Sequence, residues 1–291
     1  IHTANVQGNA VRDIVKWDDQ PASVAASVES LIRAHHLVTT EPKGPVYICF
    51  DADVQEQKLT EPFEMPDFSQ FPGPTKFQAD SAALDQVTDL LINAKEPVVI
   101  ADFLGRSGEA VDGLVRLAES LAIPVIPGGD LFNFPTRHPL YATEAKNDVL
   151  AAADVVVALD VYDLQQPLTR QDWAARTNED ILRPDAKLID ISLRQLLVKS
   201  WADDHGSLYP TALSVAADTG LAIPALADRV QERIDSEAVN ASHIEQRRTR
   251  FAANQIDTLS RNQETARNSS SERPLHLATI ASELWDVVKD D

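Results

Sequence analysis

A short polar segment, Asp102 to Gly108, has the residue types that could bind a phosphate group. It follows an apolar run, precedes a helical pattern and contains two glycines and an arginine. Glycines and the start of a helix present backbone N–H groups to an anion, and Arg106 would add positive charge. Gly105, Arg106 and Ser107 are therefore candidates for a nucleotide phosphate site.

Further candidates lie at the ends of other apolar runs. Ligands of open α/β sheets bind beyond the carboxyl ends of the strands, so residues at those ends belong to one candidate site. Gly128 follows one run, and other runs are followed by Asp160, Asp190 and Asp218. We add Gly128, Asp190 and Asp218 to the nucleotide site. No G-x-G-x-x-G pattern is present, and ordinary structural turns are the alternative interpretation.

The sequence lacks the common catalytic and metal-binding motifs. It has no Walker A loop, no G-x-S-x-G elbow, no H-E-x-x-H pair and no cysteine pattern for zinc. The adjacent His35 and His36 would point about 100° apart on a helix and could not share a metal well. Asp203-Asp204-His205 is interpreted as a polar loop. We predict no metal site within this sequence.

The charge balance excludes several partner classes. The 26 basic and 45 acidic residues give a formal net charge of -19, which disfavours nucleic acids and anionic membrane surfaces. The one basic cluster, Arg247-Arg248-Thr249-Arg250, is predicted to be a solvated helix face. The single cysteine, Cys49, lies in an apolar run and is predicted to be a buried structural thiol. With no disulfide, spanning segment or signal peptide in the sequence, we expect a cytoplasmic protein.

Regular alternation of strands and helices must position the candidate residues. The predicted strands are continuous apolar runs, which indicates that both of their faces are covered. Connections of this length favour right-handed crossovers and an α/β fold with a doubly wound parallel sheet, that is, a Rossmann-like central domain. The predicted strands are 97–101, 123–126, 154–159, 187–191 and 213–216, and the predicted helices are 81–94, 108–122, 144–152 and 221–234.

Four segments are predicted along the chain. Residues 1–59, the first segment, hold one helix (22–36) and one strand (46–50). Because these cannot close a core, the first segment is the C-terminal part of a second α/β domain or an appendage on the next one. Residues 60–78 form a proline-bearing linker that lies along a protein surface. The central segment, 79–235, is the Rossmann-like domain, and 236–291 is a helical linker.

A family resemblance is carried by the first segment and by the order of the segments. Val6-Gln7-Gly8, the stretch 15–21 and Lys43-Gly44-Pro45-Val46-Tyr47-Ile48 look like the end of a pyrimidine-binding domain. A Gly-Pro-Val strand, a linker with prolines and a Rossmann-like domain then follow in the family's order. Residues 278–290 look like the lead-in to a diphosphate-binding domain. In these respects the sequence resembles thiamine diphosphate-dependent enzymes, most of all the acetolactate synthase-like branch.

This resemblance implies an activity that needs more than these residues. It implies thiamine diphosphate and Mg²⁺ as cofactors, and a small 2-oxo acid as the substrate of a carboligase or decarboxylase. The family's activating glutamate would lie upstream of Ile1, and its Gly-Asp-Gly...Asn motif downstream of Asp291, so the chain alone is expected to be inactive. Because the family's site lies between subunits, a homodimer or homotetramer is expected.

Two residues are assigned to the surroundings of the active site by resemblance alone. Gln7 resembles a glutamine near the cofactor, and Lys16 a lysine near the substrate entry. The alternatives are that Gln7 caps a helix and that Lys16 is a surface charge.

The central domain of some family members holds FAD or an adenine nucleotide. This sequence departs from the flavin pattern, because 102–105 stands where a glycine triplet is usual and Tyr162 where an arginine is common. A nucleotide-binding module for ADP or FAD, or a purely structural domain, remains the alternative to an enzyme fragment.

Overall fold

The fold is described from a computed structural model, which covers residues 6–129, 131–172, 174–196, 208–236 and 239–289. The predicted polar loop Asp203-Asp204-His205 lies outside these ranges. Across the same ranges, none of the helices combines the length and apolar content needed to cross a membrane.

The first segment forms a small parallel sheet beside one long helix. Strand β1 (Trp17–Asp19) pairs with β2 (Val46–Ile48), and α1 (Val24–Thr39) connects them. Strand β1 was not among the predicted strands, since its three residues are mostly polar. The helix begins at Ser23, whose side chain accepts a hydrogen bond from Ala26 N–H at 3.1 Å.

The proline-bearing linker follows a short helix, α2 (Ala52–Glu56). It returns to α1, where His36 Nε2 lies 2.8 Å from the carbonyl oxygen of Phe71. A shallow groove between the linker and α1 is lined by Ile32 and Phe63. The linker therefore lies along a protein surface, as predicted.

The central segment contributes the main sheet and a small hairpin. Its strands are β3 (Pro97–Ala101), β4 (Val125–Pro127), β5 (Val155–Leu159), β6 (Thr169–Asp172), β7 (Thr177–Asp180), β8 (Lys187–Ser192) and β9 (Leu213–Ala216). Five of them form one parallel sheet in the order β4-β3-β5-β8-β9. Strands β6 and β7 form a separate antiparallel hairpin. The strand order reverses at β3, which confirms the predicted doubly wound sheet.

Helices cover both faces of this sheet. They are α3 (Ser81–Asn93), α4 (Gly108–Leu121), α5 (Lys146–Ala152), α6 (Gln165–Leu168) and α7 (Thr219–Ser236). In β3, Val99 and Ala101 pack towards α3, α4 and α7, whereas Val98 and Ile100 pack towards α5 and α6. Burial on both faces explains why the strands are continuous apolar runs.

One boundary differs from the prediction for a local reason. Strand β4 begins at Val125 instead of residue 123, because α4 ends in a left-handed residue, Ala122, with φ 50°. Ile123 N–H then donates to the carbonyl oxygen of Ala118 at 2.9 Å, so Ile123 completes the helix end.

Two further helices follow the central segment. Helix α8 (Ala241–Asn268) packs on the central domain, where Phe251 is buried in the same core as α3, α4 and α7. Helix α9 (Leu277–Val288) turns back against α8, with Thr279 Oγ1 3.1 Å from Ser269 Oγ.

The basic cluster on α8 is exposed at Arg248, Thr249 and Arg250, as predicted, but not at Arg247. Arg247 is 4% exposed and donates to the carbonyl oxygens of Leu121 at 2.6 Å and Lys95 at 2.8 Å. The prediction is wrong for Arg247 because backbone carbonyls distant in sequence replace water around its guanidinium.

Candidate functional site

The candidate site lies at the carboxyl edge of the main sheet, where β3 and β5 run side by side. Strand order reverses there, and open α/β sheets bind ligands at such a switch point. Arg106 follows β3 in a short 3-10 turn, and Asp160 directly follows β5. Arg106 Nη1 lies 2.5 Å from Asp160 Oδ2, so one ion pair spans the switch point.

Arg106 is held by carboxylates from two parts of the chain. Besides Asp160, its Nε donates to Glu41 Oε1 at 2.9 Å, and Glu41 lies in the loop after α1. Asp160 also accepts a hydrogen bond from the hydroxyl of Thr219 at the start of α7. The side chains of Arg106, Glu41 and Asp160 are 22%, 15% and 7% exposed. The first segment is thus joined to the central sheet through this cluster.

Burial and charge compete in setting the pKa values of this ion pair. Burial is the strongest influence on Asp160 and raises its pKa, although the hydrogen bond and charge of Arg106 oppose it. Burial by itself would lower the pKa of Arg106, but the hydrogen bonds and charges of Asp160 and Glu41 outweigh it and raise the pKa. Arg106 therefore stays charged and serves as the fixed cation of the site.

Two clefts flank the cluster. The aromatic cleft, with a volume of about 190 Å³, is lined by Phe103, Tyr162, Leu193, Arg194 and Asp160, among others. The threonine cleft, about 120 Å³, is lined by Thr39, Thr40, Thr75, Ser107 and Asp218, among others. Glu41, Lys43 and Arg106 line both, so the Glu41–Arg106 pair is part of the wall between them. Each cleft is smaller than the roughly 300–1,000 Å³ usual for a small-molecule site.

An aromatic pair forms one side of the aromatic cleft. The rings of Phe103 and Tyr162 meet edge to face, with centroids 4.6 Å apart. Tyr162 is exposed. Its ring offers a flat apolar surface on which a planar ligand could pack.

The predicted phosphate-binding turn has internal partners. Gly105 N–H donates to Asn133 Oδ1 at 2.7 Å, and a Cβ at Gly105 would collide with the carbonyl oxygen of Phe132. Ser107 Oγ accepts from Ala110 N–H at 3.3 Å and so caps α4. These contacts are those of a structural turn, although Ser107 also lines the threonine cleft.

Gly128 and Asp218 lie at the same edge of the sheet. Gly128 N–H donates to the carbonyl oxygen of Ala101 at 2.8 Å, beside the carboxylate of Asp102. Asp218 Oδ1 accepts from Gly220 N–H at 2.8 Å, at the start of α7. Asp218 lines the threonine cleft, so the structure brings it close to Arg106 and Ser107.

Asp190 is not part of either cleft lining. It lies inside β8 and is 2% exposed. Ser192 Oγ donates to its Oδ2 at 3.3 Å, but Oδ1 has no hydrogen-bond partner among the residues that the structure describes. Burial raises the pKa of Asp190 to about 6.

Lys16 binds the end of a helix. Its Nζ donates to the carbonyl oxygens of Leu37 and Thr40, both at 2.8 Å, at the C-terminal end of α1. Burial lowers the pKa of Lys16. The ammonium group thus stabilises the negative end of the helix dipole in a half-buried position, and is not simply a surface charge.

Gln7 lies in a small polar cluster of the first segment. Its Oε1 accepts from the Tyr47 hydroxyl and the Cys49 thiol, both at 3.2 Å. The cysteine is half-buried, so the prediction of a buried thiol is wrong because the end of β2 is open on this side. Gln7 begins a 3-10 turn without capping it, and its side chain is exposed.

Glu41, Phe103 and Thr219 were missed as site residues. Glu41 stands outside any strand or helix, and its partner Arg106 is 65 residues away, so no local pattern marks it. Asp160 had a weak signal, because it ends an apolar run. It adopts φ 51°, a left-handed conformation that aspartate tolerates better than most residues.

Comparison with known proteins identifies the central segment. A family model described as "Thiamine pyrophosphate enzyme, central domain" matches residues 84–226, the stretch that contains the whole five-stranded sheet. This segment belongs to the thiamine pyrophosphate enzyme family. The recognition of the thiamine diphosphate enzyme family, though not of its acetolactate synthase-like branch, and the predicted Rossmann-like fold are thereby confirmed.

Named relatives extend the match beyond the central domain. Sulfoacetaldehyde acetyltransferase of Rhodobacter capsulatus is 26% identical, with 80% of this chain aligned to 37% of that protein. Benzoylformate decarboxylase of Pseudomonas aeruginosa is 30% identical, with 55% of this chain aligned to 30% of that protein. The chain therefore spans well under half the length of these relatives.

Solved structures of two decarboxylases share the fold. A 4-hydroxybenzoylformate decarboxylase from Rhodococcus jostii RHA1 aligns with a TM-score of 0.60 and 20% identity, covering 79% of this chain and 42% of that one. Benzoylformate decarboxylase from Polynucleobacter necessarius aligns with a TM-score of 0.57 and 19% identity, covering 74% and 38%.

The residues that the structure describes do not, by themselves, form a site for thiamine diphosphate and its metal ion. Within the described ranges, no three His, Cys, Asp or Glu side chains are grouped so that they could hold a metal ion. The turn after β3, which could have bound a diphosphate, has Gly105 N–H and Arg106 bonded within the protein. We therefore assign no contact with thiamine diphosphate to these residues.

Proposed function

We propose that this chain is part of a thiamine diphosphate- and Mg²⁺-dependent carboligase or decarboxylase that acts on 2-oxo acids. The observation that carries the proposal is the match of residues 84–226 to the central domain of such enzymes. Relatives named as an acetyltransferase and as a decarboxylase of benzoylformate, a 2-oxo acid, support both reaction types. The acetolactate synthase-like branch is a finer prediction that rests on the sequence of the first segment.

The packing of the first segment supports a larger protein. A two-stranded sheet is marginal by itself, and parallel sheets are normally covered on both faces. Strands β1 and β2 are only half-buried. We propose that residues 1–59 complete a pyrimidine-binding domain formed with further polypeptide, and that 60–78 link it to the central domain.

Helix α9 supports the same proposal from the other end of the described chain. One side of α9 packs on α8, while its apolar residues Leu277, Leu284 and Val287 are exposed. Exposed apolar residues on one helix mark a contact surface. We propose that 236–291 lead into a diphosphate-binding domain that covers them, although Phe251 shows that α8 also belongs to the core of the central domain.

Thiamine diphosphate supplies the carbanion chemistry next to a keto carbon, and the protein supplies binding and orientation. In this proposal the chain contributes the central scaffold and is inactive without the parts that bind the cofactor. Gln7 is the better candidate to face the active site, because Lys16 is occupied by α1. A cytoplasmic homodimer or homotetramer belongs to the same proposal.

Turnover measurements test this function. The intact gene product and the 291-residue chain would each be assayed with pyruvate and benzoylformate, with and without thiamine diphosphate and Mg²⁺. We expect turnover from the intact product that disappears when the cofactor is omitted, and no turnover from the chain. An intact product that turns over no 2-oxo acid or related aldehyde in the presence of cofactor would refute the proposal.

A nucleotide-binding role is the second candidate, and the two clefts at the switch point favour it. Lys43, Arg106 and Arg194 line the aromatic cleft beside the Tyr162 ring, which matches a planar base with an anionic tail. Calorimetric titration with ADP and with FAD tests this role. Binding of either ADP or FAD supports the nucleotide-binding role. If neither binds, the domain has a purely structural role instead.

A further inference from the structure

The contact between Glu41 and Arg106 divides the space in which a nucleotide could bind. Both residues line the aromatic cleft and the threonine cleft. Neither cleft, at about 190 and 120 Å³, has the volume usual for a small-molecule site. The Glu41 carboxylate is therefore part of the wall between them, beside Arg106.

Glu41 makes the kind of contact that a phosphate oxygen would make. A guanidinium group binds carboxylates and phosphates through the same charge-assisted hydrogen bonds. Glu41 Oε1 accepts from Arg106 Nε at 2.9 Å, while the other carboxylate partner, Asp160, binds Nη1. Glu41 thus occupies the Nε side of the Arg106 guanidinium, which Asp160 leaves open.

The two carboxylates differ in how firmly they are held. Asp160 is 7% exposed, follows a central strand and is also bound by the Thr219 hydroxyl. Glu41 is 15% exposed and lies in a loop, with Lys43 Nζ at 3.9 Å as its second cation. Apart from Arg106, the partners that the structure shows for Glu41 lie in its own loop, where Oε2 also accepts from Lys43 N–H at 3.2 Å, so its departure frees both Arg106 and Lys43 for another anion.

We propose that Glu41 is an internal gate of the carboxyl edge: its carboxylate occupies the anion position of Arg106 until a nucleoside diphosphate displaces it. This inference rests on the nucleotide-binding role proposed as the second candidate above. Displacement joins the two clefts and moves the loop after α1. Nucleotide binding is thereby coupled to the contact between the first segment and the central domain.

Titration of ADP into matched variants of the chain tests the gate. Glu41→Gln removes the competing charge but keeps the size of the side chain, and Glu61→Gln removes one charge from an exposed position in the linker. We expect ADP to bind Glu41→Gln about tenfold more tightly than the wild type, because one buried competing charge is worth at least this factor. Glu61→Gln should bind ADP with the same affinity as the wild type. Uncharged adenosine should bind Glu41→Gln and the wild type equally.

Hydrogen exchange provides the second measurement and does not depend on a variant. The amides of Thr39, Thr40, Glu41 and Lys43 should exchange faster when the wild-type chain is saturated with ADP. Equal ADP affinity in Glu41→Gln and the wild type, or no ADP binding to either, would overturn the gate. Because neither measurement uses thiamine diphosphate or a 2-oxo acid, such a failure is distinct from a failure of the proposed enzyme activity.

Discussion

Two arginines at opposite edges of one sheet have different kinds of partner. At the carboxyl edge, Arg106 binds the carboxylates of Glu41 and Asp160 beside two clefts. At the amino edge, Arg247 donates to the backbone carbonyls of Lys95 and Leu121. A backbone carbonyl cannot leave without unfolding its segment, whereas a carboxylate on a loop can be exchanged for another anion. The partners therefore indicate that Arg247 has a fastening role, which means that it holds parts of the fold together. The contacts of Arg106, in contrast, can be exchanged.

The neighbours of Arg247 strengthen the fastening role. Arg248 Nη2 donates to the carbonyl oxygen of Glu119 at 3.0 Å, and Arg250 binds both carboxylate oxygens of Glu96, at 3.1 and 2.5 Å. The three arginines thus attach α8 to the last turn of α4 and to the turn that precedes β3.

The largest effect is expected when the amino-edge contact is removed. Arg247→Met should lower the free energy of unfolding by about 3 kcal/mol, because the carbonyls of Lys95 and Leu121 lose their bonds to a buried cation. Urea denaturation measures this loss. Arg248→Met, at a side chain that is 45% exposed, is the matched control and should cost less than about 1 kcal/mol. Equal small losses in both variants would contradict the fastening role.

A buried carboxylate inside the sheet sharpens the comparison through its pH dependence. The folded-state pKa of Asp190 is about 6, so the folded protein keeps this proton between about pH 4 and 6 after the unfolded chain has lost it. Over that range the contribution of Asp190 to stability falls, by about 3 kcal/mol in total. Asp190→Asn should therefore be more stable than the wild type above pH 6, with the difference disappearing below about pH 4.

Urea denaturation at pH 4, 5, 6 and 8 checks this prediction for Asp190. Asp89→Asn, at an exposed carboxylate of α3, serves as the control. Its free energy of unfolding relative to the wild type should show no comparable gain between pH 4 and 8. A constant difference between Asp190→Asn and the wild type across this range would show that burial does not control the titration of Asp190.

A smaller effect on stability is expected at the exchangeable contact. Glu41→Gln should lower the free energy of unfolding by about 1 kcal/mol or less. The amide oxygen of glutamine can still accept a hydrogen bond from Arg106, and the carboxylate of Asp160 still neutralises the charge of Arg106. The same urea titration measures it. A loss as large as that expected for Arg247→Met would mean that Glu41 is a structural fastener, and the contrast between the two edges would fail.

The smallest effect is expected at the outer arginine of α8. Arg250→Gln removes a salt bridge whose partners are both part-exposed, so it should cost roughly 0.5 kcal/mol and less at 1 M salt. Denaturation at low and high salt measures it. A salt-independent loss would indicate that packing on the Phe251 ring matters more than the charge.

The main sheet could be predicted because its strands are buried on both faces and read as continuous apolar runs. Pro97–Ala101 and Val155–Leu159 are examples, in which the local sequence contains nearly all the information needed. The hairpin β6–β7 was not predicted, since its strands are polar and exposed. Its pairing depends on the partner strand and not on a local pattern.

The candidate site was only partly predictable, because its contacts are distant in sequence. Strand ends pointed to Arg106 and Asp218, and parallel-sheet geometry does bring them to one edge. Sequence reasoning could not pair Arg106 with Glu41, 65 residues away, or Arg247 with Leu121, 126 residues away. Gly105 and Ser107 show the reverse case, in which a phosphate-like pattern also satisfies the needs of an ordinary turn.

The most direct test of the proposed role of this chain is where the cofactor binds. Thiamine diphosphate with Mg²⁺ would be titrated calorimetrically into the 291-residue chain and into the intact gene product. The account predicts saturable binding to the intact product and no heat of binding with the chain, because the central domain is a scaffold and not the cofactor site. Saturable binding of thiamine diphosphate to the chain alone would contradict it.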